Sequence, residues 1–196
     1  GPFQVLTSDG IEGSKAEPAP GYRFKAWYKT VGDIDTPITG AEAVLSATLA
    51  KEYLEKDGTL FADTDYTAEF EADPNQTYEV SYVSNDETMG TVTHDLDSGL
   101  QKLSTDGVQG SKAEAKPGYE FVGWFRDGDN AGVSSEADPG AAAFKAQINK
   151  DAEHTDLYAD TKFVAKFQPD NSKQYNVIYT AKEGGTVDPT ANEGIQ

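Results

Sequence analysis

"GSKAEPAPGYRFKAWY" (residues 13–28) and "GSKAEAKPGYEFVGWF" (residues 110–125) agree at 10 of 16 aligned positions, and the interval between them decides how this chain is organised. Trp27 and Trp124 lie 97 residues apart, as do Gly10 and Gly107. Self-similarity at a long fixed period marks an array of like modules. The same offset relates 60–70, "LFADTDYTAEF", to 157–167, "LYADTKFVAKF", and 77–83, "TYEVSYV", to 174–180, "QYNVIYT". After a loss of two residues, Gly90-Thr91-Val92 matches Gly185-Thr186-Val187, and Gln4, Gln101 and Gln196 fall at one repeat position. Modules of about a hundred residues can bury an adequate core without metal or disulfide.

The phase of the repeat has two readings. Polar joints at 71–76, "EADPNQ", and 168–173, "QPDNSK", have the composition of linkers or turns. Taken as boundaries, they give a module lacking its leading hairpin (1–76), a complete module (77–173) and the leading hairpin of a further repeat (174–196). Taken as hairpin turns, they leave two whole modules, 1–100 and 101–196. The opening Gly1-Pro2 matches what removal of an affinity tag leaves, so we expect a piece of a longer chain.

Composition narrows the function. Aromatic content of 11% and hydrophobic content of 37% point to a folded chain, with a polar surface given a mean hydropathy of −0.61. Net charge is −18, and it is spread over the chain: residues 1–100 carry 19 acids and 6 bases, net −13, leaving −5 for the rest. Such a field repels phosphate backbones and anionic membrane surfaces, so neither nucleic acid nor a membrane is an expected partner. It does favour solubility and repulsion between neighbouring modules. With no cysteine, disulfides and thiolate metal sites are excluded.

Local patterning predicts the elements. Tyr78, Val80 and Tyr82 alternate with Glu79 and Ser81, and Tyr66, Ala68 and Phe70 alternate with Thr67 and Glu69, as strands with one apolar face do. Period two likewise sets Tyr119, Phe121 and Phe125 on one face and Trp124 on the other, with Trp27 opposite Tyr22, Phe24 and Tyr28. Leu45, Leu49 and Tyr53 recur every four residues through 41–56, which predicts a helix stopped by Gly58, and 141–153 repeats this through Phe144 and Ile148. Each module is therefore expected to be a small sheet carrying one short helix, an α+β design.

The order of these motifs resembles the divergent internalin B-repeat family: "GGTV" (184–187) after a Tyr-x-Val-x-Tyr strand, "GSKAEAKPGYEFVGWF" and a closing "FVAKF". The likeness covers 77–167 and recurs over 10–70. The first copy departs at Lys25-Ala26-Trp27, where the second has Val122-Gly123-Trp124. The resemblance implies a β-grasp-like sheet and a non-catalytic tandem repeat of a secreted or wall-attached bacterial surface protein, often adhesive. Its partners would be neighbouring repeats. The alternative reading, which rests on the aromatic strand itself, is a binding module that recognises a glycan or host surface protein through an aromatic strand face or a sheet edge.

Residues that could carry chemistry are few. His94 and His154 do not recur in the other copy, and we read each as a solvated loop residue; no cofactor is implied. Asp127, Asp129 and Asn130 in "RDGDNAG" have the spacing with which an oxygen-ligand calcium loop begins, though Asp and Gly in a row are also what a tight turn demands. Lys15 with Glu17, and Lys112 with Glu114, superficially resemble the pair that forms an internal amide bond in pilin-like modules, but their alternation with Ser and Ala reads as a polar strand face. Trp27 and Trp124 are the candidate ligand anchors: exposed, they would stack on a sugar or apolar peptide; covered by the helix, they are core. Finally, an orphan hairpin at 174–196 predicts head-to-tail self-association with the incomplete segment 3–76 of another molecule.

Overall fold

The computed structural model describes residues 7–195. Gly1-Pro2 and the repeat positions at Gln4 and Gln196 lie outside them. The chain forms two compact units that divide between Gln76 and Thr77.

In the first unit the strands are β1 (Gly13–Lys15), β2 (Tyr22–Val31), β3 (Ile34–Pro37), β4 (Val44–Ser46), β5 (Lys56–Asp57), β6 (Leu60–Phe61) and β7 (Asp65–Ala72), with helix α1 (Ala47–Glu52) after β4. An antiparallel sheet runs β3-β2-β7, and β1 pairs with β4 and β5 with β6. Its core gathers Ala16, Trp27, Ile38, Leu45 and Ala50, with Phe24, Leu49 and Tyr66 packed against them.

The second unit contains β8 (Thr77–Ser84), β9 (Gly90–Val92), β10 (Leu96–Gln101), β11 (Ala113–Ala115), β12 (Tyr119–Arg126), β13 (Gly132–Ser134), α2 (Ala141–Lys145), β14 (Thr161–Pro169), β15 (Tyr175–Ile178) and β16 (Ala191–Ile195). Five of these form one sheet in the order β10-β8-β14-β12-β13, parallel between β8 and β14 and antiparallel elsewhere. β9 pairs with β11, and β15 pairs with β16. Tyr78, Val80 and Tyr82 point into the core from β8, meeting Phe163, Ala165 and Phe167 from β14. Phe144 and Ile148 close that core from the segment around α2.

Two expectations fail here. The first is the α+β class: among the described residues strand accounts for 44% and helix for 6%, in two short pieces. The fold is mostly β with several small sheets, so the helix-on-sheet, β-grasp-like design is not what forms. The reason is visible at Ala43–Ser46. The Ala16 amide donates to the Ala43 carbonyl at 2.8 Å, and β4 pairs with β1 through Ser46, so Leu45 is a strand residue. Only beyond this does a helix begin, where the Ser46 hydroxyl accepts the Leu49 amide at 3.2 Å as an N-cap. In the second unit the predicted helix ends at Lys145, because Asn149 joins Thr161 and Ala159, and Lys150 bridges Tyr158.

The second failure is the face on which the tryptophans lie. β12 carries a bulge between Phe121 and Gly123, where Val122 has no residue opposite it on β14. β2 carries the same irregularity between Phe24 and Ala26, at Lys25. A one-residue bulge reverses the alternation beyond it. Phe121 and Trp124 therefore share a face, with ring centroids 6.2 Å apart, and so do Phe24 and Trp27, also at 6.2 Å. Phe125 is turned the other way, beneath the Lys166 ammonium.

The first glycine of each quoted motif is placed alike. Gly13 has φ +85° and Gly110 +80°, a left-handed region that L side chains rarely adopt. Each is also overlaid: a Cβ on Gly13 would strike the Leu45 carbonyl, and one on Gly110 would come within 2.8 Å of the Phe144 ring. The turn into β1 or β11 and the covering segment can approach only because no side chain stands between them.

Candidate functional site

The motif that recurs builds the same internal joint in each unit. The Ala43 carbonyl accepts both the Ala16 amide at 2.8 Å and the Trp27 indole N–H at 3.3 Å. Likewise the Ala137 carbonyl accepts the Ala113 amide at 2.9 Å and the Trp124 indole N–H at 3.2 Å. One backbone oxygen thus ties the bulged strand, the "GSKAE" segment and the covering segment together. A buried indole keeps its polar atom satisfied by such a bond.

This location decides what the tryptophans can do. Trp124 is 0% exposed and Trp27 6%. Trp124 meets Phe144 edge-on at 5.1 Å and Tyr82 at 6.2 Å, and it also packs on Phe121. Neither ring presents a face to solvent on which a sugar could stack. The anchors proposed for a ligand lie inside the core because the bulge turned them there.

Asp127, Asp129 and Asn130 occupy the turn between β12 and β13. Lys162 sits 2.6 Å from Asp127, and Arg126 forms an ion pair with Asp129. The Arg126 guanidinium, helped by the Ala131 amide, holds the Asp129 carboxyl down to about 2, and the Lys162 ammonium keeps Asp127 below the usual carboxylate range. Asn130 takes φ +53° and accepts from the Lys166 ammonium at 3.1 Å. Asn tolerates that conformation in turns. The carboxylates are thus already matched by protein cations, and no group of three or more His, Asp or Glu is gathered for a metal ion among the described residues. We predict that millimolar calcium, or its removal by chelator, leaves the thermal melting curve unchanged; a rise in midpoint with calcium would contradict this.

Lys15 and Glu17 form an exposed ion pair at 2.8 Å, and Lys112 and Glu114 one at 3.4 Å. Pairs at that exposure contribute little to stability. A depression beside β8 and β14 is lined by Glu79, Asp127, Asn149, Asp160 and Lys162. Two of its carboxylates are engaged, Asp160 by the Glu79 amide at 2.8 Å and Asp127 by Lys162.

A buried polar cluster was missed from sequence. Asp97, 3% exposed, accepts from the Tyr82 hydroxyl at 2.8 Å and from the Gln109 and Gly110 amides at 3.0 and 3.4 Å. His94 Nε2 lies 2.7 Å from its other oxygen, so His94 is bound to the core rather than merely solvated. Burial alone pushes the Asp97 carboxyl up, but His94, the Gln109 amide, Tyr82 and the Gly110 amide together hold it below its ordinary value. Burial, reinforced by the hydrogen bond to Asp97, pushes the Tyr82 phenol up. The arrangement staples β10 and the turn at 109–110 to β8. His154 sits in an exposed turn where its amide donates to Asp151 at 3.0 Å.

Comparison with protein-family models, with curated proteins and with solved structures finds no match for this chain.

Proposed function

We propose that the chain is a run of tandem structural repeats from a bacterial cell-surface protein, non-catalytic, which holds other parts of that protein away from the cell wall. One observation carries this reading. Gly13 and Gly110, Ala16 and Ala113, and Trp27 and Trp124, each pair 97 residues apart, are spent on the same internal joint twice, beside a bulge at the same repeat position and closed in each unit by a carbonyl of the covering segment, Ala43 or Ala137. A motif repeated in order to bind something would keep its large side chains in reach of a partner, whereas a motif repeated in order to build a unit buries them. The resemblance to divergent internalin B-repeats adds the setting, and the shared negative charge would keep successive units apart at low ionic strength. Neighbouring repeats are the partners this role requires.

Small-angle scattering on concatenated chains tests it. The maximum dimension is expected to grow in equal steps as repeats are added, as in a quasi-one-dimensional array. A dimension that levels off while mass increases would refute the spacer role.

A further inference from the structure

Strand β8 lies parallel against β14 in the second unit, with Thr161 opposite Val80, Phe163 opposite Tyr82, Val164 opposite Val83 and Ala165 opposite Ser84. The repeat makes β7 the counterpart of β14, because Thr64, Tyr66, Thr67 and Ala68 fall 97 residues before Thr161, Phe163, Val164 and Ala165. Yet among the described residues β7 pairs with β2 alone. No described strand takes, beside β7 of the first unit, the place that β8 takes beside β14 in the second.

The chain also holds another copy of the hairpin that belongs there. In β8 and β10, Tyr78 pairs with Leu100, Val80 with Asp97 and Ser81 with Leu96. In β15 and β16, Tyr175 pairs with Ile195, Val177 with Asn192 and Ile178 with Ala191. These are equivalent pairs, the ladder is interrupted at the same place, and Gly99 and Gly194 share φ +66°. What differs is burial: Tyr78 and Tyr82 are 1% and 0% exposed, but their counterparts Tyr175 and Tyr179 are 56% and 45%. On the receiving side Phe167 is 4% exposed and its counterpart Phe70 37%.

We propose that the β15–β16 hairpin of one copy of this chain adds to β7 of a second copy, parallel, with Val177 opposite Thr64, Tyr179 opposite Tyr66, Thr180 opposite Thr67 and Ala181 opposite Ala68. An exposed strand edge recruits a strand through its unpaired backbone groups, and here the exposed tyrosines face the half-covered side of the first unit's core. Asp63 stands ready to accept the Asn176 amide, as Asp160 accepts the Glu79 amide. The occupant is a second copy because hairpin and acceptor edge are parts of one repeat design, and β8 already shows the design joined within the chain. The contact is weaker than the built-in one. Asn85 clasps the Phe167 backbone through both ends of its amide, at 2.8 and 3.3 Å, and Lys182 takes its position in the second hairpin. The proposal deepens the tandem-repeat reading and rests on it for the equivalence of the copies, but not on the spacer role. Failure to associate would leave the scattering result untouched, and a compact concatemer could still associate.

The chain contains no cysteine, so cross-linking reads the register directly. Full-length Thr67→Cys and Thr180→Cys chains are mixed under mild oxidation. Their heterodimer is expected to form faster than in a mixture of Thr67→Cys with Ser172→Cys, by on the order of tenfold, since binding raises the local thiol concentration. Equal rates in the two mixtures would overturn the proposal. Adding Tyr179→Asp to the Thr180→Cys chain, which sets a charge against the receiving core, is expected to abolish the acceleration. Acceleration that survives this change would overturn the assigned register.

Discussion

Trp124→Ala is expected to destabilise the second unit by about 3–5 kcal/mol, the range for removing a large aromatic side chain from a packed core. Against the roughly 5–15 kcal/mol that stabilises a typical domain, this takes much of what the unit has. The indole is wholly enclosed, it packs edge-on against Phe144 and Tyr82, and its N–H occupies the carbonyl that also binds Ala113. Trp124→Phe keeps most of the packing and loses the indole hydrogen bond, so we expect a smaller loss, with about 1 kcal/mol from that bond. Trp27→Ala should cost the first unit less than Trp124→Ala costs the second, because among the described residues Trp27 meets one aromatic ring, Phe24, whereas Trp124 meets Tyr82, Phe121 and Phe144. The measurement is urea unfolding, followed by circular dichroism and by fluorescence of the remaining tryptophan. In the Trp124→Ala chain, Trp27 fluorescence reports the first unit and should keep its midpoint while the dichroism develops an earlier transition. A single transition at the original midpoint would show that Trp124 is not the centre of its core.

How much of this was legible in the sequence depends on what each signal measures. The interval of 97 residues located equivalent strands, and the alternation of Tyr78, Val80 and Tyr82 gave the buried face of β8, because no bulge interrupts that stretch. The alternation across 119–125 misled for the opposite reason. The extra residue is Val122 in one copy and Lys25 in the other, and neither side chain announces a bulge. Their shared position at the repeat interval was the only available sign. The period-four spacing of Leu45, Leu49 and Tyr53 was real, but helix and strand can each bury a residue at such spacing when the chain changes conformation midway. Leu45 is buried from β4, before α1 begins. Asp97 could not be picked out, since an acidic residue beside Ser98 and Gly99 looks like a turn until the fold brings Tyr82 and two amides to it.

Replacing that carboxylate is expected to have the second large effect. Asp97→Ala leaves the Tyr82 hydroxyl and the Gln109 and Gly110 amides without their acceptor inside the second unit. Each unsatisfied buried group costs about 1–3 kcal/mol, so three of them set a loss of at least about 3 kcal/mol, in the range of about 3–5 kcal/mol for breaking a buried charged pair. Asp97→Asn should be milder. Its amide oxygen can still accept from Tyr82 and the two backbone amides, while its NH₂ turns toward His94, which can meet it by carrying its proton on the other ring nitrogen. Asn192 holds the equivalent place in the β15–β16 hairpin, so the repeat already uses this residue there. The native chain and Asp97→Asn separate in acid. The folded carboxyl lies below its ordinary value of 3.8, so the unfolded chain takes up this proton first as pH falls. The contribution is therefore complete above about pH 4 and is lost as pH drops through the lower folded value. Native protein should show this acid limb superimposed on those of its other paired carboxylates, and Asp97→Asn should show a shallower one, having no proton to take up there. Denaturant midpoints measured from about pH 2 to about pH 7, which brackets the acid limb, provide the check. An Asp97→Asn limb as steep as the native one would mean that the carboxylate is not held as its four partners indicate.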